Sequence, residues 1–185
     1  MSGASGWVDR RAPAVDRILD AAGGLFAERG VGSVAMGAIA AAAGCSRATL
    51  YRYFPDRPSL QRAFVQREAA RVGALVAADV AGLPDSVDAL TEAVLAALRH
   101  VRTAPALLAW FGAPDAVRTA DLAQESEVVE ALGLSMTRDA DAARWLVRVV
   151  VSLLTAPGAD DAEERRLVER FVAPVLSPAR RTVGP

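Results

Sequence analysis

Residues 44–60 read Gly-Cys-Ser-Arg-Ala-Thr-Leu-Tyr-Arg-Tyr-Phe-Pro-Asp-Arg-Pro-Ser-Leu and constrain this chain more than any other stretch. Before them, Met36, Ile39, Ala40 and Ala43 recur at helical spacing and stop at Gly44. Glycine can take the positive φ that closes a helix just past its last turn. Ser46 can then accept from the free N–H groups that open a second helix. That helix, 47–53, carries Arg47, Thr49, Tyr51, Arg52 and Tyr53 on a scaffold of Leu50 and Phe54, and Pro55 and Pro58 bracket the turn after it. Two short helices across a tight turn, the second rich in cations and aromatics, is the pattern of a helix-turn-helix whose second helix enters the DNA major groove.

The rest of the chain reads as helix. Apolar periodicity and punctuation predict helices over 13–28, 36–43, 47–53 and 58–80, then a break at Gly82-Leu83-Pro84-Asp85. Ser86 is placed to cap a helix reaching about 101. A short apolar segment spans 105–111 and a more polar helical stretch reaches 132, with Gly133 punctuating it. Helices over 137–155 and 162–176 follow, the last capped by Asp160 or Asp161. The expected architecture is all-α with about nine helices, without strand-period segments or internal repeats. Residues 1–12 read as a flexible tail and 13–72 as a three-helix DNA-binding domain with the start of a linking fourth helix. Residues 73–178 read as a larger helical domain for effector binding and dimerisation, and 179–185 as a frayed end.

Charge is divided along this plan. Residues 1–67 hold nine Arg against five Asp and Glu, and residues 68–185 twelve against seventeen, so the net −1 splits into +4 and −5. A polyanion therefore meets the front of the molecule. No apolar run is long enough for a membrane span, and the N-terminus lacks the apolar stretch of a secretory signal, so the expected location is the cytoplasm and no membrane partner is expected. Cys45 and His100 are the only residues of their kinds, which rules out an internal disulfide and argues against a metal cluster, a cofactor site or a catalytic triad. An enzyme is not expected.

Recognition helices read bases with their first residues, which makes Arg47, Ala48 and Thr49 the candidates for base edges. Arg pairs bidentately with guanine, and Ala or the Thr methyl can touch a thymine methyl. Ser46, Tyr51, Arg52 and Tyr53 are candidates for phosphates, which position a protein without carrying sequence information. Arg10 and Arg11 belong either to the tail or to a basic arm for the minor groove. One recognition helix touches few bases, so a homodimer on paired half-sites of a double-stranded operator is expected. The last two helices carry more apolar faces than one small domain needs; Trp145, Val149, Leu153, Leu167, Phe171 and Val175 are the candidate interface. Arg144, Arg148 and Ser152 form a polar stripe on an otherwise apolar helix, so a buried Arg148 would need a carboxylate partner, Glu163, Glu164 or Glu169, or an anionic ligand.

These residues carry a family resemblance. Arg17-Ile-Leu-Asp-Ala-Ala, Leu25-Phe-Ala-Glu-Arg-Gly30, Ile39-Ala-Ala-Ala-Ala-Gly-Cys-Ser46 and Ala48-Thr-Leu-Tyr-Arg-Tyr-Phe-Pro55 closely resemble the DNA-binding domain of TetR-family transcriptional regulators. The resemblance implies a repressor released from a pseudo-palindromic operator by a small-molecule effector, with the last two helices forming a four-helix dimer interface. A regulator with no small-molecule effector, gated by a protein or constitutive, is the alternative. It also implies a pocket among the middle helices, for which Leu98, His100, Val101, Leu107, Trp110, Phe111, Met136 and Arg148 are candidates, with Arg102 a further source of polarity. Arg57 stands where the family usually has a phosphate-contacting Lys, and Cys45 where it commonly has Val. Three positions depart from the pattern: Ala35 lacks a capping side chain, Gly37 a DNA-reaching one, and Ala38 the usual acid. What remains at Gly37 is backbone N–H donation to a phosphate.

Overall fold

The computed structural model describes residues 5–84, 87–112, 119, 122–123, 126–137 and 139–176; for 5–11, 87, 175 and 176 it describes the backbone only. The expected capping residue Ser86, the tail ends at 1–4 and 177–185, and much of the polar stretch after Pro114 lie outside them. Helix α1 (Ser5–Arg29) buries Ile18, Leu19, Ala22, Leu25 and Phe26 along one face. It starts well before Pro13, so most of the expected tail is helical backbone and Pro13 sits inside, where its missing N–H forgoes one backbone bond. Gly30, at φ +74°, ends α1, and its N–H bonds Phe26 O at 2.9 Å.

After a 3-10 turn at Val31–Ser33 come α2 (Met36–Ala42), α3 (Arg47–Tyr53) and α4 (Arg57–Asp79). Helix α4 opens on a reciprocal cap: Ser59 N–H donates to Asp56 Oδ1 at 2.7 Å and Asp56 N–H to Ser59 Oγ at 3.3 Å. Hydrogen bonding to the carboxylate from the Ser59 backbone N–H, then from the Ser59 side chain, holds the Asp56 carboxyl below its usual range. Helices α1 to α4 close around Ile39, Leu50, Leu60 and Phe64, all nearly inaccessible to water.

The second half comprises α5 (Val87–Arg102), α6 (Pro105–Leu108) with a 3-10 turn at Ala109–Phe111, α7 (Glu127–Thr137), α8 (Ala140–Thr155), α9 (Asp161–Leu167) and α10 (Ala173–Leu176). A π turn at Val168–Val172 joins the last two into one continuous rod. Asp160 is the cap of α9, accepting from Glu163 N–H at 2.7 Å. All the described residues fall in helices, turns or loops, as the all-α reading expected. Gly133 does not interrupt the chain as expected but lies buried inside α7. A β-carbon there would come within 2.9 Å of Ala143 Cβ, so the missing side chain lets α7 and α8 pack at close range. The break falls instead at Asp139, which caps α8 by accepting from Ala142 N–H at 2.8 Å.

The core does not divide at residue 72. Helix α4 runs through both halves, and Trp110 from the second half is buried in the core of the first. Its ring stacks on Phe64 (centroids 5.8 Å, planes 12° apart) and meets Phe26 edge-on at 5.5 Å, while Phe26 and Phe64 meet edge-on at 5.3 Å. Gly23 leaves room for Phe64, whose ring edge would lie 3.0 Å from a β-carbon there.

A buried ion pair locks the far end. Arg102 donates to both oxygens of Glu164 at 2.7 Å each and to Leu153 O at 3.0 Å; Glu164 also accepts from Gly158 N–H at 2.9 Å. One bidentate contact thus ties the end of α5 to α8, to the Pro157-Gly158 turn and to α9. Bonding by Arg102, with help from Gly158 N–H, holds the Glu164 carboxyl below its usual range. A folded-state value below the unfolded one means that the pair stabilises fully above the unfolded carboxylate range, near pH 4 to 5, and loses its contribution as pH falls through the folded value. Glu164→Gln is expected to cost about 3 kcal/mol, the lower end for a broken buried pair because the Arg102 side chain is 28 % exposed. Urea unfolding of both proteins at pH 7 and at pH 3 checks this, with the gap narrowing at the lower pH.

Candidate nucleic-acid interface and effector cavity

The turn between α2 and α3 is built by its backbone. Gly44 takes φ +64°, its N–H bonds Ala41 O at 3.1 Å, and Cys45 N–H reaches back to Ala40 O at 3.0 Å, so the last carbonyls of α2 are satisfied. Cys45 is a half-buried residue packed against the core. Ser46 Oγ accepts from Thr49 N–H at 3.1 Å and shares a hydrogen bond with Thr49 Oγ1 at 2.9 Å. With its hydroxyl engaged there, Thr49 has its methyl left for apolar contact. Leu50, fully buried, and Phe54 root α3 in the core. That rotation leaves Arg47, Ala48, Tyr51 and Arg52 together on the outer face, Tyr51 at 47 % exposure. Tyr53 is half-buried against the core, under the Arg52 guanidinium at 5.3 Å from its ring centre. The outer face therefore offers two guanidinium groups, a phenol and one small side chain, with Thr49 beside them, a set able to bind phosphates and base edges.

Two expected contacts look different in the fold. Arg57 does not project from the start of α4. Its Nη2 donates to Val31 O and, at 2.9 Å, to Gly32 O, bracing the α1–α2 connection, and its Nε is buried without a partner. The carbonyls of a 3-10 turn left it these acceptors, which local sequence could not show. Gly37 lies beneath the Arg47 guanidinium. A β-carbon at Gly37 would stand 2.7 Å from Arg47 Nη2 and 2.9 Å from Nε. The absence of a side chain on α2 thus provides the seat of the first cation on α3, a pairing between two helices that sequence spacing did not reveal. Ala35, at the cap position of α2, makes no side-chain bond, as its chemistry requires.

Behind this face, α4, α5, α6, α7 and α8 enclose a cavity of about 180 Å³. A single water needs only about 10–15 Å³ on the same measure, so the space suits an organic molecule. Val101, Leu107, Trp110, Phe111 and Met136 stand on its wall. Leu98 does not; it is buried in the core that joins α5 to α8 and the final helices. His100 is also elsewhere: its Nε2 and Arg99 Nη2 each lie 2.7 Å from Asp79 Oδ2, linking α5 to the end of α4. The bond from His100, followed by that from Arg99, holds the Asp79 carboxyl below its usual range. Arg148 is exposed on the outside of α8 rather than buried beside an anion, because the helix turns Leu146 and Val150 inward instead. Arg102, as described, is taken by Glu164. Each polar residue expected at the pocket is thus committed to a structural partner or faces solvent.

Elsewhere α8, α9 and the π turn show large apolar side chains to solvent: Trp145 at 39 %, Leu167 at 37 % and Phe171 at 55 % exposure. Val149 and Leu153 are half-buried against the inner core, and the Val175 side chain lies outside the described set.

The sequence of bacterial regulatory proteins of the tetR family, as a family model, matches residues 18–64, from the buried face of α1 to Phe64. Over 175 residues the chain is 42 % identical to HTH-type transcriptional regulators from two strains of Mycobacterium tuberculosis, covering 90 % of this chain and 87 % of each relative. The fold is shared with RolR in complex with resorcinol (TM-score 0.70, 20 % identity, 91 % of this chain and 90 % of that one). It is also shared with the TetR-family repressor AlkX from Dietzia sp., implicated in biodegradation of n-alkanes (TM-score 0.61, 26 % identity, 86 % and 93 %).

Gly37→Ala is expected to push the Arg47 guanidinium off α2 while leaving the melting temperature within a few degrees, since only a flexible side chain must move. Selection from a randomised DNA pool should then show altered preference at one base position per half-site, with unchanged preference elsewhere.

Proposed function

The chain belongs to the TetR family of transcriptional regulators, and we propose that it is a homodimeric repressor, released from a pseudo-palindromic operator by a small molecule in the α4–α8 cavity. One observation carries this reading: Trp110 stands on the cavity wall and is at the same time part of the core of the DNA-binding half. A ligand that binds one conformation better shifts the population toward it, and here it would act on a side chain stacked against α1 and α4. The cavity favours this reading over a regulator without an effector.

Arg47, Ala48 and Thr49 are the proposed base readers, and Ser46, Tyr51, Arg52 and Tyr53 the proposed phosphate contacts. Dimerisation is supported by the exposed Trp145, Leu167 and Phe171, large apolar side chains that a partner helix could cover. Two copies pairing through α8 and α9 would present two α3 helices to successive major grooves. AlkX is a repressor and RolR is seen with resorcinol; both likenesses agree with the proposal. A cytoplasmic location is part of the proposal; no described helix is long and apolar enough to cross a membrane.

Phe171→Glu is expected to yield a folded monomer by sedimentation. On a two-half-site operator it should bind at least about tenfold more weakly than the parent, with a shallower salt dependence because fewer phosphates are engaged at once. A variant that stays dimeric would move the interface away from the π turn after α9.

A further inference from the structure

Arg57 opens α4, and only Phe54, Pro55 and Asp56 separate it from the end of α3. Its side chain runs back to a distant part of the sequence. Nη2 donates to the carbonyls of Val31 and Gly32, 26 and 25 residues earlier in the chain. Both carbonyls belong to the 3-10 turn that leads into α2. Neither that turn nor the start of α2 has a side-chain cap, because Gly30 and Ala35 stand at the cap positions. The Arg57 contact closes a ring that runs through the turn, α2, the Gly44 corner, α3 and the start of α4. The link from α3 to Arg57 is stiff: Pro55 has its φ fixed, and Asp56 is held in the reciprocal cap with Ser59.

The guanidinium is also withdrawn from outside partners. Nη2 is committed to two carbonyls, and Nε is buried without a partner, so at most Nη1 remains for an outside acceptor. Both edges of a guanidinium that can grip a phosphate with paired donors include Nη2, so neither edge is free here. We propose that Arg57 is a positioning residue for operator recognition: it clamps the start of α4 to the α1–α2 connection, fixes the angle of α3, and holds no phosphate itself. Hydrogen bonds to base edges depend on that angle, whereas attraction to phosphates depends mainly on charge. A helix already held in its binding geometry also spends less on ordering when it docks. Loss of the clamp therefore falls on sequence-specific binding and spares the general attraction to DNA.

The test uses the full-length protein and two duplexes of equal length, one that the parent selects from a randomised pool and one of scrambled sequence, in about 0.15 M salt to screen distant charges. Arg57→Met keeps an unbranched stem and removes the donors. Measured well below its melting temperature, it is expected to bind the selected duplex about tenfold more weakly than the parent, on the order of one mismatched base pair. Its affinity for the scrambled duplex should stay within about twofold, and its salt slope on the selected duplex should match the parent's. Hydrogen exchange in the free variant should quicken in α2 and α3 and not in α5. A role in stability alone would leave the ratio of the two affinities unchanged, and that result would overturn the positioning role. So would a slope shallower by about 0.9 per half-site with both duplexes weakened alike, which marks a lost phosphate contact. If the variant does not fold, the parent labelled with ¹⁵N-arginine decides the matter. The Arg57 Nε–H resonance should keep its position and its slow exchange when the selected duplex binds; a downfield move on binding would overturn the clamp.

Discussion

Trp110 packs against both Phe26 of α1 and Phe64 of α4, which also meet each other, and the rest of the molecule is arranged around that three-ring contact. The three rings bring together segments far apart in sequence, so the DNA-binding half cannot complete its core alone. Aromatic contacts of this kind have preferred geometries and large buried areas, which makes the joint stiff rather than adaptable. A stiff joint transmits a displacement. Whatever moves the cavity wall at Trp110 moves α1 and α4, and α4 starts at the Asp56 cap three residues beyond the end of α3.

The arginines follow a related logic. The chain has twenty-one cations, all arginine. Arg57 braces the α1–α2 connection, Arg67 bridges α4 to Asp20 of α1 at 2.9 Å, Arg99 holds Asp79, and Arg102 holds Glu164. A planar guanidinium can satisfy several acceptors at once, which suits the repeated task of tying one helix end to another. The consequence is a division of environments. The cations of α3, Arg47 and Arg52, lie exposed on the face proposed for DNA, whereas Arg99 and Arg102 of α5 are held by carboxylates away from the largely apolar described wall of the cavity.

Much of the DNA-binding half was legible in the sequence because its determinants are local. The Gly44 turn, the Ser46 cap, the Asp56–Ser59 start of α4 and the burial of Leu50 each depend on residues within a few positions of one another. The cavity was half legible. Val101, Trp110 and Met136 could be placed near it by apolarity and segment, but Leu98, His100 and Arg148 could not be placed correctly. Their orientation depends on which side of α5 or α8 meets a neighbour, and helical spacing alone leaves that rotation open.

By itself the sequence determined the helical class, the position and polarity of the helix-turn-helix, the basic front and acidic back, and the family. Those follow from residue type and short-range spacing, which survive without knowledge of the partners. Only the tertiary structure decided that Arg57 braces a turn, that Gly37 makes room for Arg47, that Gly133 joins two helices rather than ending one, and that Trp110 belongs to both halves. Each of these is a contact between residues on different elements, and its outcome is set by the available acceptors and free volume once the helices have packed.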